Sequence, residues 1–256
     1  MSPSPTAALL IIGNEILSGR TRDANLQTLG EALARQGIRL RETRIVEDRY
    51  DAIVHALNAL RTSFDMVFTT GGIGPTHDDI TTECVAAAFG RVVQENTEAA
   101  LRLKAYYAGD GMNDARLKMA RVVAGATLID NPLSAAPGFA IENVYVLPGV
   151  PHILQAMLPA LLTSLPTGPA IDSQAVTAWL RESEIAAELT AIQACFPTLD
   201  IGSYPFSRNG RFGTSLVVRG TDGSARAAAA AAITDMLRAR GAEFSAAPLA
   251  SHAART

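Results

Sequence analysis

The chain has 256 residues, of which 48% are hydrophobic and 18% are charged, so it is long enough to bury one good core and a smaller second one. Twenty-two basic and twenty-five acidic residues give a formal charge of −3, and no basic run or basic-aromatic stripe argues for a nucleic-acid partner. The first apolar run, residues 7–12, is too short for a signal sequence or a membrane span. We therefore expect a cytoplasmic protein with no membrane partner.

In chain order, apolar strand segments alternate with amphipathic helical segments. A buried strand at residues 8–13 precedes a helix at 24–37, in which Leu26, Leu29 and Leu33 recur at helical spacing. The segments that follow are a strand at 38–46, a helix at 51–63, a strand at 65–70 and a helix through 81–90. This alternation predicts an α/β fold with a doubly wound, mostly parallel sheet covered by helices on both faces.

The stretch from Thr97 to Val123 is charged and has helical patterning, so it predicts an insertion into the strand series. The sheet resumes with a strand at residues 143–149 and continues into a helix at 150–165. Residues 166–170 have the composition of a linker. We therefore predict a first domain over residues 1–166.

Residues 171–256 predict a second, smaller domain. Its segments are a strand at 173–180, a helix at 182–196, strands at 199–206 and 213–220, a helix at 223–241 and a strand at 242–246. This β-α-β-β-α-β order is that of a ferredoxin-like α+β fold. The alanine run at 227–232 is compatible with a helix packed closely on a sheet.

The two cysteines, Cys84 and Cys195, lie far apart in alanine-rich segments with helical patterning. Neither belongs to a Cys-x-x-Cys or Cys/His spacing, which excludes a zinc site of the usual kind. We expect both to be reduced residues of a protein core.

The stretch FTTGGIGPTHDDITTE, residues 68–83, places Gly71, Gly72 and Gly74 at the carboxyl end of a predicted strand, where doubly wound folds bind ligands. Glycine lets backbone N–H groups approach a phosphate closely, and a helix beginning near Asp78 would direct its positive end to the same point. The turn lacks the residues of a P-loop or a dinucleotide fingerprint. It is therefore equally compatible with a plain strand-to-helix turn.

Asp78 and Asp79 follow the glycines and have two interpretations. Aspartate is favoured at the cap and in the first turn of a helix. A second carboxylate beside the first costs energy unless a cation or a proton compensates it, which suggests a divalent metal held jointly by carboxylate and substrate phosphate. His77 is better explained as a turn residue than as a metal ligand or a base.

Two further loops are predicted at the same edge of the sheet. The first, GNEILSGRTRDAN, contains Glu15, Asp23 and Asn25, and the second, DNPLSAAPGF, is rich in turn-forming residues. Each is also compatible with a loop that is merely stiffened by glycine, proline and asparagine.

Together these segments resemble the MoaB/Mog molybdopterin-binding fold, a three-layer αβα arrangement. The Pro-Thr-x-Asp-Asp form of the glycine motif resembles the N-terminal domain of CinA-type (competence/damage-inducible protein A) proteins, and GNEILSGRTRDAN, NPLSAAPGF and LPGVP agree with that family in order. The resemblance covers about residues 6–165, and ESEIAAEL with IGSYP resembles the family's small second domain. The chain departs from the family pattern at Ser134 and Ala135, where Gly-Thr is common, and at His152, where Glu is usual.

The resemblance implies a pocket for a phosphorylated nucleotide or pterin. CinA-type domains are associated with hydrolysis of ADP-ribose-like pyrophosphates that depends on a divalent metal such as Mg²⁺, Mn²⁺ or Co²⁺. Related Mog-type proteins support adenylyl transfer to molybdopterin. Relatives form homo-oligomers, so we expect a dimer or trimer. We expect the amidohydrolase domain of full-length CinA proteins to be absent, so nicotinamide nucleotide deamidation is not carried over.

Carried onto this chain, the resemblance gives the following site residues. Asp78 and Asp79 are predicted to be catalytic and to bind the metal, with Asp23 as a further metal ligand. The predicted substrate contacts are Gly71, Gly72, Gly74, Thr76, Glu15, Asn25, Ser134, Pro137 and Gly138. The alternatives are molybdopterin binding or adenylylation, with molybdopterin as a ligand, a non-catalytic nucleotide-binding module, and motifs that only cap helices.

Overall fold

The computed structural model describes residues 4–246 of the chain. The chain divides into two compact units between Gly168 and Pro169. Residues 247–256, which belong to the predicted second domain and follow its last predicted strand, lie outside the described residues. Within residues 4–246, no helix is both long enough and apolar enough to cross a membrane.

The first unit is built around a six-stranded sheet. In chain order its elements are β1 (Thr6–Ile12), α1 (Asn14–Leu17), α2 (Asn25–Arg35), β2 (Arg39–Val46), α3 (Tyr50–Ser63), β3 (Met66–Thr70), α4 (Thr81–Ala88), β4 (Val93–Glu95), α5 (Thr97–Tyr106), α6 (Asp114–Lys118), β5 (Arg121–Val123), β6 (Thr127–Ile129), β7 (Gly138–Ile141), β8 (Val144–Leu147) and α7 (Pro151–Thr163). The strand order is β2-β1-β3-β8-β7-β6. The four strands from β2 to β8 pair in parallel, whereas β7 and β6 are antiparallel additions.

Helices cover both faces of this sheet, which explains why β1 reads as an unbroken apolar run. Leu9 packs in one buried cluster with Leu33 of α2 and residues of α7, and Leu10 packs in the other with Leu57 of α3 and residues of α4. Burying each leucine contributes about 1.5–3 kcal/mol to the free energy of unfolding. The predicted doubly wound, mostly parallel sheet is confirmed.

The predicted start of a helix near Asp78 is wrong, because α4 begins at Thr81. Its N-cap residue is Ile80, which makes no side-chain capping bond. The preceding residues instead form a closed turn in which the Thr76 backbone N–H and hydroxyl both donate to Asp79 Oδ2. The Asp79 carboxylate therefore accepts its hydrogen bonds within this turn and does not cap α4.

The prediction of a purely helical insertion before the last parallel strand is also incomplete. Helices α5 and α6 are present, but β5 pairs with β4 in a separate two-stranded antiparallel sheet. Strands β6 and β7 were not predicted because each has only three or four residues and a turn-rich loop separates them. These two strands extend the main sheet beyond β8.

The second unit has the predicted ferredoxin-like order. It contains β9 (Asp172–Ala178), a 3₁₀ helix (Glu182–Glu184), α8 (Ala186–Cys195), β10 (Asp200–Arg208), β11 (Arg211–Gly220), α9 (Gly223–Ala239) and β12 (Phe244–Ser245). The four strands form an antiparallel sheet in the order β10-β11-β9-β12. Its core combines strand residues such as Val176 and Leu216 with Ile233 and Leu237 of α9. The alanine run therefore lies in a helix that packs on the sheet, as predicted.

The two cysteines differ in burial, so the prediction that both are core residues is wrong for one of them. Cys84 is buried in α4, whereas Cys195 is exposed. Cys195 is the last residue of α8, a helix in which Leu189 alone among the described residues is buried. Burial is the main cause that raises the pKa of the Cys84 thiol to about 12, and the charges of Glu83 and Asp51 contribute to this increase.

This difference predicts unequal reactivity toward a thiol reagent such as DTNB. Since the thiolate is the reactive form, a pKa of about 12 leaves roughly one part in ten thousand of Cys84 reactive at pH 8. We expect one thiol per chain to react rapidly in native protein, and the second only after denaturant is added. Cys195→Ser should abolish the fast phase, and rapid reaction of two thiols in wild type would contradict this assignment.

Candidate functional site

The turn after β3, residues 71–74, contains two glycines at positions where a residue with a side chain does not fit. Gly71 has φ +100°, and a Cβ there would lie 2.1 Å from the carbonyl oxygen of Ile12 on β1. Gly72 has φ +67°, and a Cβ there would lie 2.2 Å from Thr81 Oγ1. Both positions combine a left-handed backbone with no space for a side chain. We call residues 71–74 the glycine turn.

The backbone donors of the glycine turn divide into two groups. The Gly71 N–H donates to the Leu147 carbonyl at 3.2 Å, so it ties β3 to β8 and is not available to a ligand. Within residues 4–246, no protein acceptor takes the N–H of Gly72, Ile73 or Gly74. These three consecutive donors are therefore the part of the turn that fits an anion.

The glycine turn opens into a cleft of about 550 Å³ at the carboxyl edge of the parallel strands. The residues that line it are Ile12, Glu15, Thr21, Asp48, Gly71, Gly72, Ile73, Gly74, Pro75, Asp78, Asp79, Met119, Asn131, Ser134, Ala136, Pro137, Pro148, Gly149, Val150, Pro151 and Ile153. The volume lies within the range of small-molecule sites. Val150 and Pro151 bring the start of α7 to the cleft, so the positive end of that helix also faces it.

The structure brings together most of the predicted site residues. Those that line the cleft are Glu15, Gly71, Gly72, Gly74, Asp78, Asp79, Ser134 and Pro137. Those that do not are Asp23, Asn25, Thr76 and Gly138. Gly138 is buried within β7, and both donor groups of Thr76 are taken by Asp79.

Asp23 and Asn25 support the cleft from the start of α2. Asp23 Oδ1 accepts the Leu26 N–H at 2.8 Å, which is the bond of a helix cap. Asn25 is only 3% exposed, and its Nδ2 donates to the Gly149 carbonyl at 2.8 Å. The Asp23 carboxylate thus stabilises the N-terminus of α2 and does not line the cleft. Asn25 fixes the turn that precedes α7.

Residues 75–79, which we call the acid turn, present the paired aspartates. Asp79 Oδ2 accepts two bonds from Thr76, and Lys118 Nζ donates to the backbone carbonyls of Thr76 and, at 2.8 Å, of Asp79. The pKa of Asp78 lies below its usual value, chiefly because of the Thr76 side chain, followed by the backbone of Asp78 itself and the charges of His77 and Lys118. Asp78 is therefore ionised at neutral pH. Neither aspartate caps α4, so the interpretation of this pair as helix caps fails.

A further carboxylate that lines the cleft, Asp48, was not predicted from the sequence. It lies just beyond the end of β2, and its Oδ2 accepts the Asn14 N–H at 2.7 Å. Burial raises its pKa; the bond from Asn14 opposes this, and the charges of Glu15 and Asp78 raise it further. Asp48 follows a parallel strand in the same way as Asp78, so the rule that ligand residues follow strand ends could have found it.

The loop before β7 is organised by Asn131. Its Nδ2 donates to Ser134 Oγ at 2.7 Å and to the Ala136 carbonyl at 2.8 Å, while its Oδ1 accepts the Leu133 N–H at 3.0 Å. Ala135 adopts φ +57°, a left-handed conformation that is unusual for a residue with a side chain. Of the two departures from the family pattern in this loop, Ser134 lines the cleft and Ala135 does not. His152, by contrast, is exposed at the second residue of α7 and does not line the cleft.

The charge of the cleft is one-sided. Among the described residues that line it there are four carboxylates, Glu15, Asp48, Asp78 and Asp79, and no Lys, Arg or His. Carboxylate oxygens are the donors that Mg²⁺ and Mn²⁺ prefer. In the described part of the chain, however, no three Asp, Glu, His or Cys side chains are close enough to hold a metal by themselves. The residues fit a cation that takes its remaining ligands from water and substrate, as Mg²⁺ commonly does.

Comparison with known families gives one match for each unit. The family model described as "Probable molybdopterin binding domain" matches residues 8–167. The model described as "FAD synthase, middle domain" matches residues 170–244.

Individual relatives agree with these matches. A "Probable FAD synthase" from Caenorhabditis elegans is 31% identical over 85% of this chain and 47% of its own length. A "CinA-like protein" from Chloroherpeton thalassium is 31% identical over 75% of this chain and 49% of its own length. The chain thus spans about half the length of these two relatives. The CinA protein of unknown function from Thermoplasma acidophilum is 34% identical to this chain, and its crystal structure matches with a TM-score of 0.59 over 63% of this chain and 98% of that one.

The close approach at Gly71 predicts a large cost for Gly71→Ala. The added Cβ would meet the Ile12 carbonyl, so the strands β1 and β3 must separate, and we expect a loss of about 3 kcal/mol or more. Gly90→Ala is the matched control, because Gly90 also has positive φ but a Cβ there meets nothing within 4 Å. It should cost only about 1–2 kcal/mol. Urea unfolding followed by circular dichroism measures both, and equal losses would contradict the steric argument.

The raised pKa of Asp48 predicts a pH-dependent effect of Asp48→Asn. A folded pKa above the unfolded value means that Asp48 favours folding most below about pH 4, and this contribution is lost as pH rises through the folded pKa. Asparagine keeps an acceptor for the Asn14 N–H but carries no charge. The free energy of unfolding of the variant, relative to wild type, should therefore increase between pH 4 and pH 7.

Asp65→Asn is the control of opposite sign for this measurement. Hydrogen bonds from the Thr6 side chain and backbone lower the pKa of Asp65, so its contribution to stability is present at pH 7 and is lost on acidification. Relative to wild type, Asp65→Asn should lose stability as pH rises toward about 4 and should then stay constant between pH 4 and pH 7. Parallel pH profiles for the two variants would contradict the environments assigned to them.

Proposed function

Because the chain belongs to the family described as "Probable molybdopterin binding domain", we propose that its first unit is a divalent-metal-dependent hydrolase of ADP-ribose-like nucleotide pyrophosphates. The CinA-type resemblance of its motifs agrees with the similarity to the Thermoplasma acidophilum protein. The observation that carries the proposal is the pairing of four carboxylates with three free backbone donors in one cleft.

The charge of the cleft supports a metal-dependent reaction. A pyrophosphate carries negative charge, and each carboxylate within a few ångströms repels it by about 1–4 kcal/mol at the effective dielectric constants of a protein surface. Backbone N–H groups and a helix end attract an anion with energies of only about 0.3–2 kcal/mol. A divalent cation shared by carboxylate and phosphate removes this imbalance. We therefore propose Mg²⁺, Mn²⁺ or Co²⁺ as the cofactor.

Different residues of the cleft have different roles in the proposed reaction. The N–H groups of Gly72 and Gly74 hold phosphate oxygens, and Asp78, which is ionised, and Asp79 hold the cation. The bound cation supplies the chemistry of a Lewis acid and lowers the pKa of a coordinated water. Hydrolysis adds the water oxygen to one phosphorus and breaks the bridging P–O bond, which converts ADP-ribose to AMP and ribose 5-phosphate.

The shape of the cleft also supports a nucleotide. Apolar side chains of Ile12, Met119 and Ile153 line it beside the polar glycine turn, and such a surface fits a planar base. FAD contains the same kind of pyrophosphate, and the Caenorhabditis elegans relative carries the name "Probable FAD synthase". FAD is therefore a second substrate to test beside ADP-ribose.

The test is ion-pair chromatography of the protein incubated with ADP-ribose, FAD or ATP, with Mg²⁺, Mn²⁺ or Co²⁺ and with chelator. We expect AMP from ADP-ribose only when metal is present. Asp78→Asn and Asp79→Asn should each lower the rate by about 100-fold or more, since each removes charge from the metal site. Asp235→Asn, which changes an exposed carboxylate on α9 of the second unit, should leave the rate unchanged.

Survival of ADP-ribose and FAD under all these conditions would overturn the hydrolase proposal. Consumption of ATP on addition of molybdopterin would then favour adenylylation. Binding of ADP-ribose that Asp79→Asn weakens, without turnover, would instead favour a non-catalytic nucleotide-binding module.

A further inference from the structure

The ammonium group of Lys118 connects the insertion between β3 and β8 to the acid turn. Lys118 is the last residue of α6, and its Nζ donates to the carbonyls of Thr76 and Asp79, the latter at 2.8 Å. These two carbonyls stand near the two ends of the acid turn. One side chain thus binds both ends of the segment that carries Asp78 and Asp79.

The choice of lysine at this position has a steric reason. The chain has two lysines, Lys104 and Lys118, among its twenty-two basic residues, so arginine is its usual cation. Lys118 lines a side cavity of about 10 Å³ next to the cleft, which has room for about one water molecule. An ammonium is a compact donor that can reach two converging carbonyls, whereas a planar guanidinium is larger and needs a different geometry.

The neighbouring cation is engaged elsewhere. Arg121 also lines the side cavity, but its guanidinium pairs with Glu83 at 3.2 Å. The acid turn has little other support, since the side chain of His77 is 98% exposed and that of Asp78 is 58% exposed. The bonds of Asp79 Oδ2 to Thr76 lie within the turn and do not attach it to another element. Lys118 therefore supplies the attachment to α6.

We propose that Lys118 is a positioning residue whose ammonium holds the acid turn against α6 and thereby keeps Asp78 and Asp79 at the cleft. Its effect on turnover rests on the proposed hydrolase function. Its effect on the order of the acid turn does not, because the two hydrogen bonds are made without any ligand. The two consequences can therefore be measured separately.

The first measurement is hydrogen-deuterium exchange in residues 74–80, read at the Thr76 amide, whose N–H donates to Asp79 Oδ2. Lys118→Met keeps an unbranched side chain of similar length but removes all three donors, and we expect exchange in this segment to accelerate by about tenfold or more. Lys118→Arg keeps the charge and should restore part of the protection. Lys104→Met, an exposed position on α5, is the matched control and should exchange as wild type does.

The second measurement is the steady-state kinetics of ADP-ribose hydrolysis with Mn²⁺. Lys118→Met should lower kcat by about tenfold or more and raise the Mn²⁺ concentration needed for half-maximal rate, with KM changed less, and Lys118→Arg should recover part of the rate. Unchanged exchange in residues 74–80 of Lys118→Met would overturn the proposal whatever the kinetics. Faster exchange in that variant with no hydrolysis by wild type would support the role of Lys118 in holding the acid turn while refuting the hydrolase proposal. Faster exchange with wild-type kinetics would refute the positioning role.

Discussion

The structure of the first unit depends on the contact between the backbones of β1 and β3 at Gly71. No other residue fits where a Cβ would lie 2.1 Å from the Ile12 carbonyl. At this point the Gly71 N–H bonds to the end of β8, and Thr81 returns two bonds, from its Oγ1 to the Gly71 carbonyl and from its N–H to the Gly72 carbonyl. Three strand ends and the start of α4 are thus joined around two glycines. The cleft is the space that this arrangement leaves at the edge of the sheet.

The electrostatics of the cleft follow from the same geometry. Parallel strands end at one edge, so the acidic residues that follow β1, β2 and β3 converge there without any single loop being strongly acidic. Burial raises the pKa of Asp48 and the charges of Glu15 and Asp78 raise it further, whereas the pKa of Asp78 is lowered. A neutral set of backbone donors faces this acidic wall. The combination favours a ligand that is itself a complex of a phosphate with a cation.

The second unit has a separate core and a family match of its own. Its ferredoxin-like sheet is used by proteins with many different roles, so the fold does not by itself assign one to this unit. The proposals made for the cleft concern residues of the first unit only. Along this chain the match of the second unit, residues 170–244, directly follows that of the first, residues 8–167.

The amino-acid sequence by itself determined the alternation of strands and helices, the ferredoxin-like order and the glycine turn. These features depend on hydrophobic periodicity and on residues such as Gly71 that act over a few neighbours. The tertiary structure decided the features that depend on distant partners. It moved the start of α4 to Thr81, assigned Asp23 to the start of α2, and added the short strands β6 and β7 to the sheet. It also brought Asp48 and Lys118 to the paired aspartates, because only the folding of β2 and α6 onto the same edge makes those residues neighbours.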